Sequence, residues 1–279
     1  MDIGAQFTEP TVIEPRAGWA PPRIGELWRF RELLFFFVWR DIKVRYKQTV
    51  LGASWAVVQP VATTVVFALF FGRLAKIPSE GQPYALFALS GLALWTFFSQ
   101  ALNGASQSLV GAAAMITKIY FPRILTPVAA VLSFVVDLVI AFFVVVVVVL
   151  AYGHSIDFRI FAVLPFAGLA AVTALGLGFF GAALNVRYRD IRYALPFIVQ
   201  LWLFCSPVAY PSTLLSGWKR VIFGINPMTS AIDGFRWAVL GTPAPPTGEV
   251  MISVAISVAA LVFGVAYFSR VESSFADVI

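Results

Sequence analysis

Long apolar stretches separated by short polar segments dominate the pattern of this chain. A helix needs about 20 mostly apolar residues to cross the hydrocarbon of a bilayer, with a range of about 17–25. Six stretches meet that requirement and predict membrane spans: Trp55–Phe71, Tyr84–Val110, Ile124–Tyr152, Ile160–Leu184, Ala194–Tyr210 and Val250–Ser269. The fifth is short and ends in Ser206 and Pro207. The pattern therefore predicts an all-α polytopic membrane protein.

A further, partly apolar segment lies between the last two predicted spans. Gly224–Leu240 carries Pro227, Asp233 and Arg236. A charge at the centre of a bilayer costs at least about 2.5 kcal/mol, so we do not expect this segment to cross alone. It is expected to form a re-entrant or interfacial helical hairpin, at about residues 212–241, buried in protein where its backbone groups can find partners.

A basic, aromatic segment precedes the first span. Trp39–Trp55 reads WRDIKVRYKQTVLGASW, and it predicts an amphipathic helix on the cytoplasmic membrane surface. On a helix, the apolar stripe consists of Phe35, Trp39, Ile42 and Tyr46. A cationic stripe about 100° away consists of Arg40, Lys43 and Lys47. Asp41 and Arg45 can pair at i, i+4. The cations suit both membrane anchoring and contact with a phosphorylated lipid or substrate.

Composition agrees with the membrane class and argues against others. The 279 residues are 60% hydrophobic and 12% charged, whereas soluble domains have roughly 45–50% apolar and about 25% charged residues. Cys205 and His154 are the sole residues of their types, which argues against disulfides, thiolate metal clusters and His-based catalysis. The pI of about 9.7 does not indicate a nucleic-acid partner, because the cations lie in short loops between apolar runs. That distribution favours membrane orientation.

The distribution of Lys and Arg predicts the orientation of the spans. With six spans and a cytoplasmic N-terminus, most of the 20 Lys and Arg residues lie inside, as the positive-inside rule requires. Both termini are then cytoplasmic. Counting Gly224–Leu240 as a seventh span would move the C-terminus outside, and Arg270 argues weakly against that. The predicted domains are a flexible cytoplasmic tail without a cleavable signal peptide (1–28), an interface helix and turn (29–52), a six-span domain (53–270) and a short cytoplasmic C-terminus (271–279).

Two predicted inner loops are dense in Arg and Tyr. Lys118–Arg123 reads KIYFPR, and Asn185–Tyr193 reads NVRYRDIRY. Arg and Tyr are enriched at protein interfaces, so these loops are candidate contacts for a partner as well as carriers of orientation charge. Asp190 weakens the second interpretation, because acids contribute little to the positive-inside signal.

Five motifs in order resemble one family of transport proteins. They are WRDIKVRYKQTVLGASW, KIYFPR, NVRYRDIRY, INPMT and the terminal ESSFADVI. Together they resemble the membrane subunit of type-2 ABC exporters for polysaccharides, the O-antigen, teichoic-acid and capsule permeases, over nearly the whole chain after about Arg29. The resemblance implies an interface helix at roughly Arg29–Lys47, six spans, and re-entrant helices before the last span. It also implies the bacterial inner membrane, a second copy of the permease and two copies of a separate ABC ATPase.

The resemblance and the residues together assign candidate site residues. The pyrophosphate of a polyprenyl-linked glycan is expected to contact Arg40, Lys43, Arg45 and Lys47. Candidate gate and path residues are Gly52, Trp55, Trp95, Phe97, Phe98 and Tyr120, although Trp and Tyr at span ends also form ordinary interfacial belts. The resemblance implies ATPase coupling through Lys118, Tyr120, Phe121, Arg123, Arg187, Arg189 and Asp190. No GxxxxGK(S/T) phosphate loop is present, so no cofactor is expected in this chain, and ATP and magnesium are expected in the partner.

Three function classes stay open at the level of sequence. The first is the polysaccharide permease, and the second is a type-2 ABC permease for a small lipophilic drug or lipid; neighbouring glycosyltransferase genes would favour the first. The third is a membrane enzyme such as a prenyl-phosphate glycan transferase, with Asp41 and Asp190 as poor catalytic candidates. Asp137 is the one acid well inside a predicted span, and a helix-contact role is favoured over proton binding.

Overall fold

Helices make up the regular structure of the part of the chain that can be described. The computed structural model describes residues 28–47, 54–116, 118 and 121–272. Within these ranges there are ten α-helices and no strand. They are α1 Arg31–Lys47, α2 Trp55–Phe67, α3 Tyr84–Gly111, α4 Ala113–Ile116, α5 Leu125–Ala151, α6 Val163–Arg187, α7 Ile191–Phe204, α8 Trp218–Ile225, α9 Pro227–Leu240 and α10 Thr247–Val271. A π-helical segment, Ala68–Leu74, continues α2, and 3₁₀ turns occupy Phe158–Ala162 and Ser212–Leu214.

Five of the predicted spans are present as helices long and apolar enough to cross a membrane. They are Trp55–Leu74, Tyr84–Gly111, Leu125–Ala151, Phe158–Arg187 and Thr247–Val271. The chain is therefore a polytopic helical membrane protein. The remaining predicted span, Ala194–Tyr210, corresponds to α7, which has 14 residues and a length of about 21 Å. That is shorter than the roughly 30 Å hydrocarbon core, and an irregular segment follows it.

Helix α3 is the centre of the helix bundle. It packs against α2, α5, α6, α7 and α9, and its first half is almost completely buried, with Leu86, Phe87 and Leu94 all at 0% exposure. Helix α9 is also buried on most of its surface, between α3, α6 and α10. The outer helices instead expose their apolar side chains, as lipid-facing helices do.

Helices α6 and α10 pack so closely that their backbones are in contact at Gly176 and Gly264. A Cβ atom added to Gly264 would lie 2.0 Å from the carbonyl oxygen of Gly176. The hydroxyls of Thr173 and Ser257 are 2.8 Å apart across the same pair of helices. Because lipid is as apolar as a helix surface, small residues that permit close approach are a common basis of helix association in membranes.

A second apolar core joins α1 to the ends of the long helices. Phe37 on α1 is 1% exposed and meets Phe121, with the ring centroids 5.3 Å apart in an edge-on arrangement. Phe179 on α6 and Phe268 on α10 belong to the same cluster. This cluster positions α1 beside the two Arg-rich loops.

Candidate functional site at the interface helix

Helix α1 docks through a different face from the predicted aromatic stripe. Phe35 and Trp39 are 70% and 49% exposed, whereas Phe37 is buried and Leu34 and Val38 pack against the second apolar core. The helix has apolar side chains on two sides. One side packs against the rest of the protein, and the other side is exposed. The alternation of apolar and polar residues alone does not say which side faces protein.

An ion pair anchors α1 to α5. The guanidinium of Arg45 pairs with the carboxylate of Asp137, donates to the Ser133 hydroxyl at 2.9 Å, and lies 3.7 Å from the ring centroid of Phe134. The hydroxyl of Tyr46 donates to the other oxygen of Asp137. These contacts agree with the favoured role of Asp137 in helix contact.

Asp41 and Arg45 do not form the pair that their spacing suggested. Asp41 pairs with its neighbour Arg40, with nitrogen and oxygen 2.8 Å apart, because Arg45 turns toward the acid on α5. The four predicted phosphate ligands are therefore divided between two faces of α1.

Three of those four cations lie along a shallow groove on the outer face of α1. This cationic groove is lined by Phe36, Trp39, Arg40, Lys43, Val44 and Lys47. The Lys43 ammonium lies 5.1 Å from the ring centroid of Trp39. Cations beside exposed aromatic rings are suited to an anionic group attached to an apolar chain.

A cavity of about 240 Å³ lies on the opposite side, between α1, α2, α3 and α5. Its lining includes Arg45, Trp55, Gln59, Phe97, Gln100 and Asp137, and we call it the four-helix cavity. Two predicted path residues, Trp55 and Phe97, therefore line the same cavity as Arg45, a predicted phosphate ligand.

The other predicted path residues have different surroundings. Trp95 and Phe98 are 5% and 0% exposed, and both rings pack on Trp202 of α7, with centroids 6.4 Å and 5.2 Å from it. They contribute to packing between α3 and α7 within this chain. Gly52 and Tyr120 lie outside the described residues.

The two predicted coupling segments lie at the same end of the bundle. Lys118 is exposed, Phe121 packs on Phe37, and Arg123 donates to the backbone carbonyl oxygen of Glu272 at the end of α10. In the second segment the three predicted residues, Arg187, Arg189 and Asp190, are all exposed. The Asn185 amide donates to the Ser106 carbonyl oxygen at 3.1 Å, so this segment is tied to the C-terminal end of α3.

A buried arginine supports the irregular segment after α7. Arg236 of α9 is 1% exposed and donates to the carbonyl oxygens of Pro207 and Val208 at 3.0 and 3.4 Å. It also pairs with Asp233 at 3.3 Å. The sequence pattern identified Arg236 as an obstacle to spanning but did not identify the carbonyl groups that it contacts, since Pro207 and Val208 belong to a distant segment.

Two further side chains complete the support of this segment. The Asn226 amide donates to the Cys205 carbonyl oxygen at 3.0 Å, and the Tyr84 hydroxyl donates to the Ala209 carbonyl oxygen at 2.7 Å. Asn226 also caps α9, because its side-chain oxygen accepts from the Met228 N–H at 3.0 Å. The Asn-Pro start of a helix is a recognisable signal in the sequence, since Asn favours the N-cap and Pro the first helical position.

These features define a multi-pass helical membrane protein whose cationic helix and Arg-rich loops share one end. The chain matches the ABC-2 type transporter family over residues 32–240, which is more than half of its length. It therefore belongs to that family.

The chain is also similar to curated relatives along almost its whole length. It is 26% identical over 257 residues to the O-antigen export system permease protein RfbA of Myxococcus xanthus, covering 91% of this chain and 98% of the relative. It is 24% identical over 250 residues to a protein of the same name from Klebsiella pneumoniae, covering 89% of this chain and 95% of the relative.

Proposed function

We propose that this chain is the membrane subunit of an ATP-driven exporter that moves an O-antigen-like polysaccharide, carried on a polyprenyl pyrophosphate, across the bacterial inner membrane. Membership of the ABC-2 family supports a transport role with ATP hydrolysis in a separate subunit. The end-to-end similarity to O-antigen export permeases supports the substrate class. The complete transporter contains two copies of this chain and two ATPase subunits.

The cationic groove is the observation that carries the proposal. Lys43 and Lys47 project from the side of α1 that faces away from the bundle, and Arg40, which pairs with Asp41, lines the same groove beside the exposed rings of Phe36 and Trp39. A pyrophosphate meets the cations by charge-assisted hydrogen bonds, and the first part of the prenyl chain packs on the aromatic side chains. Arg45 holds α1 in place through Asp137 and does not contact the phosphate directly.

In this proposal α7 crosses the membrane together with the segment that follows it, and α8 and α9 form a re-entrant hairpin. Irregular backbone is tolerated at membrane depth where protein groups satisfy its carbonyl oxygens. The hydrogen bonds from Arg236, Asn226 and Tyr84 to residues 205–209 support this arrangement. Six spans then place both termini in the cytoplasm. The division into tail, interface helix, six-span domain and short C-terminus follows from it.

The ATPase subunits contact the two coupling segments through their exposed residues, Lys118 in the first and Arg187, Arg189 and Asp190 in the second. Closure of the ATPase pair moves the first loop, and the packing of Phe121 on Phe37 transmits that motion to α1. The contact between Arg123 and the backbone of Glu272 links the same loop to the end of α10. A push on one loop thereby reaches both the substrate-binding helix and the last span.

The proposal is tested by changing Arg40, Lys43 and Lys47 together to Gln. Each cation near a charged membrane surface or phosphate contributes about 1 kcal/mol, so the apparent affinity for the lipid-linked glycan should fall at least about tenfold. Polysaccharide export in cells and the amount of inserted protein are measured together. A matched triple change of Arg73, Lys76 and Lys219 to Gln, all exposed and outside the groove, should leave export intact. Normal export by the groove variant would contradict the phosphate role.

A further inference from the structure

The four-helix cavity differs from the cationic groove in its charge. Arg45 is paired with Asp137 across its wall, so the guanidinium and the carboxylate largely neutralise each other. This wall therefore offers polar groups but little net charge, which favours a neutral polar ligand over a free anion.

Two side-chain amides in the cavity are available for a ligand. Gln59 of α2 and Gln100 of α3 line it, and neither side chain hydrogen-bonds to another described residue. Both lie on helices of membrane-spanning length and composition. Polar side chains in such helices are costly and commonly mark a substrate path. A hydroxyl-rich ligand would provide the partners that apolar lipid cannot.

The aromatic part of the lining suits the apolar C–H surface of a sugar ring. Trp55 lines the cavity and is 49% exposed, and the C–H groups of a pyranose pack on the electron-rich face of an aromatic ring. The volume of about 240 Å³ far exceeds what a single water needs, so the cavity has room for a small ligand such as one sugar ring.

The groove and the cavity are close enough to bind two parts of one molecule. Arg45 lies two residues from both Lys43 and Lys47, so the two sites are on opposite faces of a helix about 10–12 Å across. We propose that the four-helix cavity is a saccharide subsite, which binds the sugar ring attached to the phosphate that the groove holds. This inference rests on the proposed function and adds to it a direct recognition of the first sugar by the permease.

The test compares two synthetic ligands on the full chain in lipid nanodiscs. One is a short polyprenyl pyrophosphate that carries a single hexose, and the other is the same lipid pyrophosphate without a sugar. Unmodified protein should bind the glycosylated lipid about tenfold more tightly, because one well-placed polar contact contributes about 1–3 kcal/mol. Gln100→Leu should reduce that ratio of affinities to near one, and Gln59→Leu should reduce it in the same way.

A matched control lies on the same helix as Gln100. Gln107 is exposed and does not line the cavity, so Gln107→Leu should keep the full ratio. Equal binding of the two lipids by the unmodified protein would overturn the subsite and leave the proposed function standing. Binding of neither lipid would overturn the proposed function and the subsite together. The comparison in the unmodified protein decides the question even if a variant fails to fold.

Discussion

The position of each cation around α1 determines what it can contact. Arg45 faces α5 and has an acid within reach, whereas Lys43 and Lys47 face away from the bundle. Helical spacing predicts that Arg40, Lys43 and Lys47 form one stripe, and all three line the cationic groove. It could not identify the partner of Arg45, because Asp137 lies 92 residues away along the chain.

A double-mutant cycle measures the strength of this anchor. The Arg45 and Asp137 side chains are 27% and 15% exposed, so removing either one leaves a partly buried charge without its partner. Asp137→Ala and Arg45→Ala should each destabilise the chain, and their coupling free energy should be about 1–3 kcal/mol. Thermal unfolding of the purified protein in detergent provides the values.

The neighbouring pair on α1 is the natural control for this cycle. Arg40 and Asp41 also pair, but Arg40 is 37% exposed, and pairs in water contribute about 0–1 kcal/mol. The cycle on Arg40 and Asp41 should therefore show little coupling. Equal coupling in the two pairs would argue against an anchor at Asp137.

At the scale of whole helices, the close contact of α6 and α10 depends on glycine. Gly264→Ala places a methyl group against the backbone of Gly176, which cannot rotate away as a side chain can. The two helices must separate, and overpacking of this kind costs about 1–3 kcal/mol. The thermal midpoint of the variant should fall by several degrees.

Gly248 provides a control on the same helix. It also belongs to α10, but an added Cβ meets nothing within 4 Å. Because alanine favours helix over glycine by up to about 1 kcal/mol, Gly248→Ala should be neutral or slightly stabilising. Similar losses in Gly264→Ala and Gly248→Ala would contradict the proposed backbone contact.

The elements were predictable to the extent that local pattern determines them. Of the six spans that length and hydropathy predicted, five are helices long and apolar enough to cross a membrane, because lipid imposes the same requirement on every crossing helix. In the sequence, Ser206 and Pro207 partly indicated where α7 ends. The docked face of α1 was not, since Phe35 and Phe37 are equally apolar and their exposures of 70% and 1% depend on contacts with Phe121, far away in the sequence.

For the molecule as a whole, the path of the chain between α6 and α10 decides its architecture. If α7 crosses and α8 and α9 return to the same side, the chain has six spans. If α7 does not cross, it has five, and if α9 also crosses, it has seven. Helix length alone does not separate these arrangements, because a buried polar network can support irregular backbone within a membrane.

Three single cysteines separate the arrangements. Cys205 is the sole native cysteine, so Cys205→Ser gives a background without thiols, and Arg189, Ser216 and Thr247 are exposed positions for new ones. In the six-span arrangement Arg189→Cys should react with a membrane-impermeant maleimide only after the cells are opened. Ser216→Cys and Thr247→Cys should react in intact cells. Reaction of Ser216→Cys from the same side as Arg189→Cys would show that α7 does not cross, and opposite sides for Ser216→Cys and Thr247→Cys would show that α8 and α9 are not a re-entrant hairpin.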